Sequence, residues 1–210
     1  MSAPSEAVLT EACEALSKAD PALARAYKES GLPVWRAAEP CYENLARIIA
    51  YQQLSTKAAG TIWGRALERH DAFTPQAILD DSEEGLRSCG LSRPKIRHLK
   101  SIAGAVESGA LCFDRLCSAP VDEARDELIA VKGIGPWTAE IFLMNAVGKL
   151  EAFPVGDVGL MESYKQLAEL EERHEIKAFT ALAENWRPYR GVAAHLLWGW
   201  INMMRDKNYP

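Results

Sequence analysis

The chain is short of several things, and each absence narrows what it can be. It has no apolar run long enough to span a membrane; the best stretch, residues 192–204, is too short and is broken by His195, Gly199 and Asn202. The opening Met1-Ser2-Ala3-Pro4 carries no basic segment ahead of an apolar one, so a signal peptide is not expected and a cytoplasmic setting is. The five cysteines (Cys13, Cys41, Cys89, Cys112, Cys117) are odd in number and scattered, with no C-x-x-C. That excludes a disulfide framework and fits a reducing compartment; Cys112 and Cys117 are expected to be buried as small hydrophobes. No H-x-x-x-H or comparable cluster has metal-ligand spacing, so no metal held by side chains is expected. Alternating β-branched runs, sequence repeats and low-complexity segments are also missing. Helical periodicity remains, and the expected class is all-α.

What is present is an ordinary globular composition, 48% hydrophobic and 25% charged over 210 residues, enough for one or two domains with a proper core. The net charge of −5 counts against a nucleic-acid partner on the simplest test. The charge is unevenly spread, however. Arg87, Arg93, Lys95, Arg97 and Lys100 lie with His98 in a stretch free of acids, and Arg187, Arg190, Arg205 and Lys207 enrich the tail. Acids gather in the first thirty residues and between Glu162 and Glu175. A basic face with an acidic back, or simply a solvated charge run, follows.

Helix signals recur along the chain. Asp20-Pro21 reads as an N-cap with proline at N1, and Gly31 as the stop; residues 32–40 read as an extended connector. Leu45, Ile48, Ile49 and Tyr51 fall at helical spacing, and a second helix runs from Thr56 past Trp63. Thr74-Pro75 and Ser82-Glu83 start short helices, and Ser92 caps a longer one reaching about Ala105. Asp122 is expected to cap a helix that ends near Ile129, and Pro136 to open one running to about Val147. Asp157 reads as the cap of a helix carrying Leu160, Met161, Tyr164, Leu167 and Leu170, a pattern that Phe179 and Leu182 continue, and Trp186 to Arg190 as the entry to the last helix.

Between the helices of residues 122–147 stands Val131-Lys132-Gly133-Ile134-Gly135-Pro136-Trp137-Thr138. Glycines at 133 and 135 allow positive φ and close approach of a ligand to the backbone. Proline at the first helical position leaves the neighbouring amides pointing outward, which suits an anion such as phosphate. By itself G-x-G-P fits an ordinary helix–helix turn equally well. The wider pattern L-x-x-[apolar]-K-G-I-G-P-W-T-A, followed one helix later by Phe153-Pro154-Val155-Gly156-Asp157, resembles the helix–hairpin–helix (Gly/Pro-Asp) DNA glycosylase superfamily, in its DNA-3-methyladenine glycosylase II-like form.

The resemblance spans residues from about 40 to 205. It implies two helical subdomains flanking a cleft: a central one of residues 41–149 ending in the hairpin motif, and a second formed by residues 1–40 plus 150–210. It implies that Asp157, in that cleft, is the catalytic carboxylate, and that Trp137 and Trp198 line a pocket for an extruded base. A fixed carboxylate beside C1′ steadies the positive charge that builds on the sugar as a glycosidic bond breaks, and indole faces attract cationic alkylated purines. Relatives that also cut the backbone carry a lysine nucleophile where this chain has Trp137, so no lyase activity is expected. The string Ile49-Ala50-Tyr51-Gln52-Gln53-Leu54-Ser55 matches the family's I-x-x-Q-Q-[apolar]-S, which places Tyr51 and Gln52 at the lesion pocket and Gln53 at the position that fills the gap left by the base. Lys132, Gly133, Ile134, Gly135 and Thr138 of the hairpin, with Arg93, Lys95 and Arg190, are the expected DNA contacts; salt bridges to nearby acids account for Arg93 and Lys95 about as well. The family's hairpin carbonyls can hold a monovalent cation; no other cofactor is implied. The expected partner is damaged double-stranded DNA, bound by a monomer. A non-catalytic DNA-binding module and a glycosylase for oxidised, deaminated or mismatched bases are the alternatives.

Overall fold

The structure, a computed structural model, describes residues 3–207. Residues 1–2 and 208–210, which the expected end-built subdomain includes, lie outside the described residues. The described residues are helical, with no strand among them. The chain forms two compact units, residues 38–147 and the two chain ends (up to 37 and from 148 on), with bounds a few residues before those expected at 41 and 149.

The middle unit runs through α1 (Tyr42–Tyr51), α2 (Thr56–Glu68), α3 (Pro75–Asp80), α4 (Glu83–Ser88), α5 (Arg93–Glu107), α6 (Phe113–Ser118), α7 (Val121–Ile129) and α8 (Pro136–Phe142). Its helix starts are local chemistry. The side chains of Ser55, Thr74 and Ser82 each accept a bond from a first-turn amide. Leu45, Ile49, Leu86, Ile96, Leu99 and Ile102 are fully buried, and Tyr42 donates its hydroxyl to the Leu99 carbonyl at 3.0 Å. Three details differ from expectation. The helix α7 starts at Val121 after Pro120, so Asp122 sits in its first turn and pairs with Arg125 instead of capping. The helix α8 stops at Phe142, and residues Leu143–Val147 continue it as a π-helical turn. The short α6 was not expected at all. Its N-cap Cys112 is half-buried, as is Cys117, whereas Cys13 and Cys89 are the buried thiols.

The end unit holds α9 (Glu6–Ala19) and α10 (Pro21–Ser30) from the start of the chain. From its end come α11 (Val158–Leu167), α12 (Ile176–Ala183) and α13 (Arg190–Lys207). Phe153, Tyr164, Phe179 and Trp186 cluster with ring centroids 5.6–5.8 Å apart. The buried Asp20 is their polar anchor. One carboxylate oxygen caps α10 through the Ala22 amide at 2.8 Å; the other accepts from Tyr164 Oη at 3.1 Å and Trp186 Nε1 at 3.0 Å. Trp63 and Trp200 are buried in their units' cores.

Candidate active site

Asp157 is presented by a tight turn. Phe153 and Pro154 are buried, and their carbonyls accept from the amides of Val155 and Asp157, both at 2.9 Å. The residue then caps α11, its Oδ1 accepting from the Leu160 amide at 3.0 Å. The same Oδ1 accepts from Trp198 Nε1 on α13 at 3.2 Å. One carboxylate oxygen is thus held by a helix-terminal amide and an indole N–H, at the positive end of a helix dipole. The carboxyl group is half-buried, and so is Trp198.

Behind Trp198, on the same helix, His195 lies buried with its ring edge-on to the indole at 5.6 Å and against Trp35 of the 31–40 connector at 4.2 Å. Burial, helped by the Arg36 charge, pushes the imidazole down to about 4, so it is neutral at physiological pH. This face of α13 and the connector enclose a groove of about 700 Å³, with Arg36, Trp198, Asn202 and Asp206 among its walls. Sequence reasoning gave neither His195 nor Trp35 a role.

In the middle unit the hairpin residues part into buried and exposed. Ile134 and Thr138 are buried, Lys132 is exposed, and Trp137 shows 37% of its surface. The Ile134 amide donates to the Val131 carbonyl at 3.1 Å, closing the turn. Gly133 has φ +106, and a Cβ there would stand 2.6 Å from His98 Cβ, so this glycine is needed on both counts. Gly135 differs from expectation: its φ is −89, ordinary extended backbone, and a Cβ would meet nothing within 4 Å. Its lack of a side chain leaves open space beside the start of α8. Arg125 bonds Glu140 and so ties α7 to α8. Among the described residues no group of three or more His, Cys, Asp and Glu is placed to hold a metal ion.

At the end of α1, Gln52 Nε2 donates to Thr138 Oγ1 at 2.8 Å, joining the two segments that the sequence put forward separately. Tyr51 lies under the Arg47 guanidinium, 5.2 Å from ring centroid to Cζ. Gln53 is exposed with φ +57, a left-handed conformation uncommon outside glycine, and Leu54 beside it is 40% exposed.

Two expected phosphate contacts have other work. Lys95 Nζ donates to the Ala50 and Gln52 carbonyls, both at 2.8 Å, supplying the donors that the end of α1 lacks. Arg190 is 6% exposed, bonds Glu184 at 2.6 Å and donates to the Glu151 carbonyl at 3.1 Å, fastening the segment that leads to Asp157. A cation already committed to these oxygens cannot reach a phosphate without abandoning them. Arg93 differs, since its pair with Glu83 is mostly exposed and readily exchanged.

No helix among the described residues is long and apolar enough to cross a membrane. Residues 46–188 match the family model described as HhH-GPD superfamily base excision DNA repair protein. DNA-3-methyladenine glycosylase 1 of Schizosaccharomyces pombe is 35% identical over 75% of this chain and 71% of its own length. The probable bifunctional transcriptional activator/DNA repair enzyme AlkA of Mycobacterium tuberculosis is 32% identical, and the chain spans only 32% of it. The crystal structure of the Bacillus halodurans DNA-3-methyladenine glycosidase superposes with a TM-score of 0.81 at 32% identity, covering 93% of this chain and 91% of that one. The S. pombe 3-methyladenine DNA glycosylase Mag1, in complex with abasic DNA, gives 0.82 at 33% identity, covering 90% and 95%. With the hairpin, the Gly/Pro-rich turn and its aspartate all in place, the chain belongs to the HhH-GPD superfamily of base excision DNA repair proteins.

Proposed function

We propose that this chain is a monofunctional DNA glycosylase that extrudes alkylated purines from duplex DNA and hydrolyses their glycosidic bond. The observation that carries the reading is Asp157, its Oδ1 held by the Leu160 amide and the Trp198 indole. A carboxylate fixed before the reaction needs no reorganisation as positive charge develops on the sugar. The base must leave the stack first, as for any enzyme that acts on a base in a duplex. As the bond breaks, its electron pair passes to the purine nitrogen and neutralises the cationic ring. Water adds to C1′ and loses a proton, leaving an abasic site. Trp137 and Trp198 offer indole faces to the cationic base. The names of the relatives, DNA-3-methyladenine glycosylases in budding and fission yeast and in bacilli, support this substrate class. Trp137 stands at the position of the lyase relatives' lysine, which supports hydrolysis alone.

Lys132, Arg93 and the backbone of residues 133–135 supply the phosphate contacts, and Gln53 fills the gap left by the base. The backbone carbonyls of the hairpin would hold a monovalent cation, which would supply positive charge for binding the DNA backbone. The protein works as a monomer in the cytoplasm, on the chromosome. Asp157→Asn tests the core of the reading: affinity for DNA is retained while release of methylated purines falls at least about 100-fold. Release at the wild-type rate would remove Asp157 from the mechanism.

A further inference from the structure

Gly159 lies in the first turn of α11, two residues after Asp157. Its backbone is helical and its φ is not positive, so no conformational demand explains a glycine there, and glycine inside a helix is destabilising relative to alanine. The explanation is space. A Cβ at this position would stand 3.0 Å from Asp157 Oδ1, 3.7 Å from Trp198 Nε1 and 3.8 Å from Trp198 Cδ1. Its three nearest neighbours are thus the acceptor and two ring atoms at the donor end of one hydrogen bond.

We propose that Gly159 is a positioning residue for base release: the missing side chain keeps open the slot in which the Trp198 indole N–H meets the Asp157 carboxylate. The inference rests on the reading of Asp157 as the catalytic carboxylate. A carbon 3.0 Å from Oδ1 is inside van der Waals contact, so an added methyl group drives the carboxylate away by a few tenths of an ångström. The 3.2 Å bond to Trp198 is already long, and Oδ1 is also tied to the Leu160 amide. The indole cannot freely follow, because His195 packs edge-on against it and is itself wedged against Trp35. A misplacement of about 1 Å at a reacting group can cost about 100-fold in rate, so a shift of part of that registers as a smaller loss.

The signature is a loss of rate without a loss of stability. Gly159→Ala, Trp198→Phe, their combination and Asp157→Asn are compared in the full chain. Three quantities are read: the urea midpoint, affinity for a duplex holding a tetrahydrofuran abasic-site analogue, and single-turnover release of methylated purines from methylated DNA. Gly159→Ala is expected to keep the urea midpoint at or above wild type and the affinity within about threefold, while release slows about tenfold or more. In the Trp198→Phe background, where the indole N–H is gone and Oδ1 can shift into its place, the same change should slow release less than about threefold. The inference is overturned if Gly159→Ala releases bases at the wild-type rate while Asp157→Asn is inactive. It is overturned equally by the same loss in both backgrounds, or by a lowered urea midpoint that accounts for the loss. If Asp157→Asn itself releases bases normally, the catalytic reading of Asp157 fails, and this inference with it.

Discussion

Asn at position 20 should be nearly as damaging as Ala, although it keeps the shape of aspartate. Asp20 is 5% exposed and accepts three hydrogen bonds: the Ala22 amide on one oxygen, Tyr164 Oη and Trp186 Nε1 on the other. In Asp20→Asn the carbonyl oxygen can keep the cap on α10, but the amide NH2 then faces both aromatic donors. The tyrosine hydroxyl can turn and accept; the indole N–H cannot. Placing the oxygen toward the aromatics instead strands the cap. Either way a buried donor loses its acceptor, at about 1–3 kcal/mol, and the remaining bonds lose their charge-assisted strength. The sum is about 3–5 kcal/mol, a large fraction of a typical stability of about 5–15 kcal/mol. Because these bonds join α10, α11 and the entry to α13, the loss falls on the unit that carries Asp157 and Trp198. Urea denaturation followed by tryptophan fluorescence and circular dichroism should show a lower midpoint at unchanged slope, and heating a Tm lower by on the order of 10 °C. Trp186→Phe, which removes the donor that asparagine cannot serve, should recover part of the loss in the double mutant. A midpoint for Asp20→Asn that matches wild type would refute this account of the hub.

Other substitutions divide along similar lines. Gly133→Ala forces a side chain into His98 at a positive φ and should destabilise by about 2–4 kcal/mol by calorimetry. Gly135→Ala meets nothing in the protein, so stability should change by less than about 1 kcal/mol while DNA affinity, read by fluorescence anisotropy, falls; unchanged affinity would show that nothing approaches the turn there. Lys95→Met should destabilise by about 1–3 kcal/mol, because two carbonyls at the end of α1 lose their donor, yet leave the salt dependence of DNA binding intact. Lys132→Met should do the opposite, reducing the slope of log affinity against log salt by about 0.9. The buried His195, at about 4 in place of 6.5, binds fewer protons folded than unfolded between those values. Stability therefore rises with pH across that window, and its contribution, about 3 kcal/mol, is lost as pH falls from 6.5 to 4. His195→Gln should flatten that part of the profile.

The elements that were legible in the sequence were those whose causes are local. Asp20, Ser55, Thr74 and Ser82 cap the helices that follow them because a short polar side chain reaches an amide two or three residues on. Local chemistry made the hairpin legible only as a turn and Asp157 only as a helix cap; the wider pattern's resemblance to the DNA glycosylase superfamily marked them as a site, and the backbone needs a glycine at 133 but not at 135. The six-residue α6 escaped because it is too short for a period to register and its cap makes no side-chain bond. The π-helical turn after Phe142 escaped because no residue type demands one.

By itself, then, the sequence determined the helical class, the caps, the two-glycine bend and the aspartate that ends the Gly/Pro-rich turn, all consequences of neighbours along the chain. Only the tertiary structure decided that Lys95 and Arg190 are spent on carbonyls, that Gln52 meets Thr138, and that Trp198 reaches Asp157 across 41 positions of sequence. Long side chains choose their partners by which helices the burial of apolar faces brings side by side. That choice is made by the whole core at once, and no local pattern of residues records it.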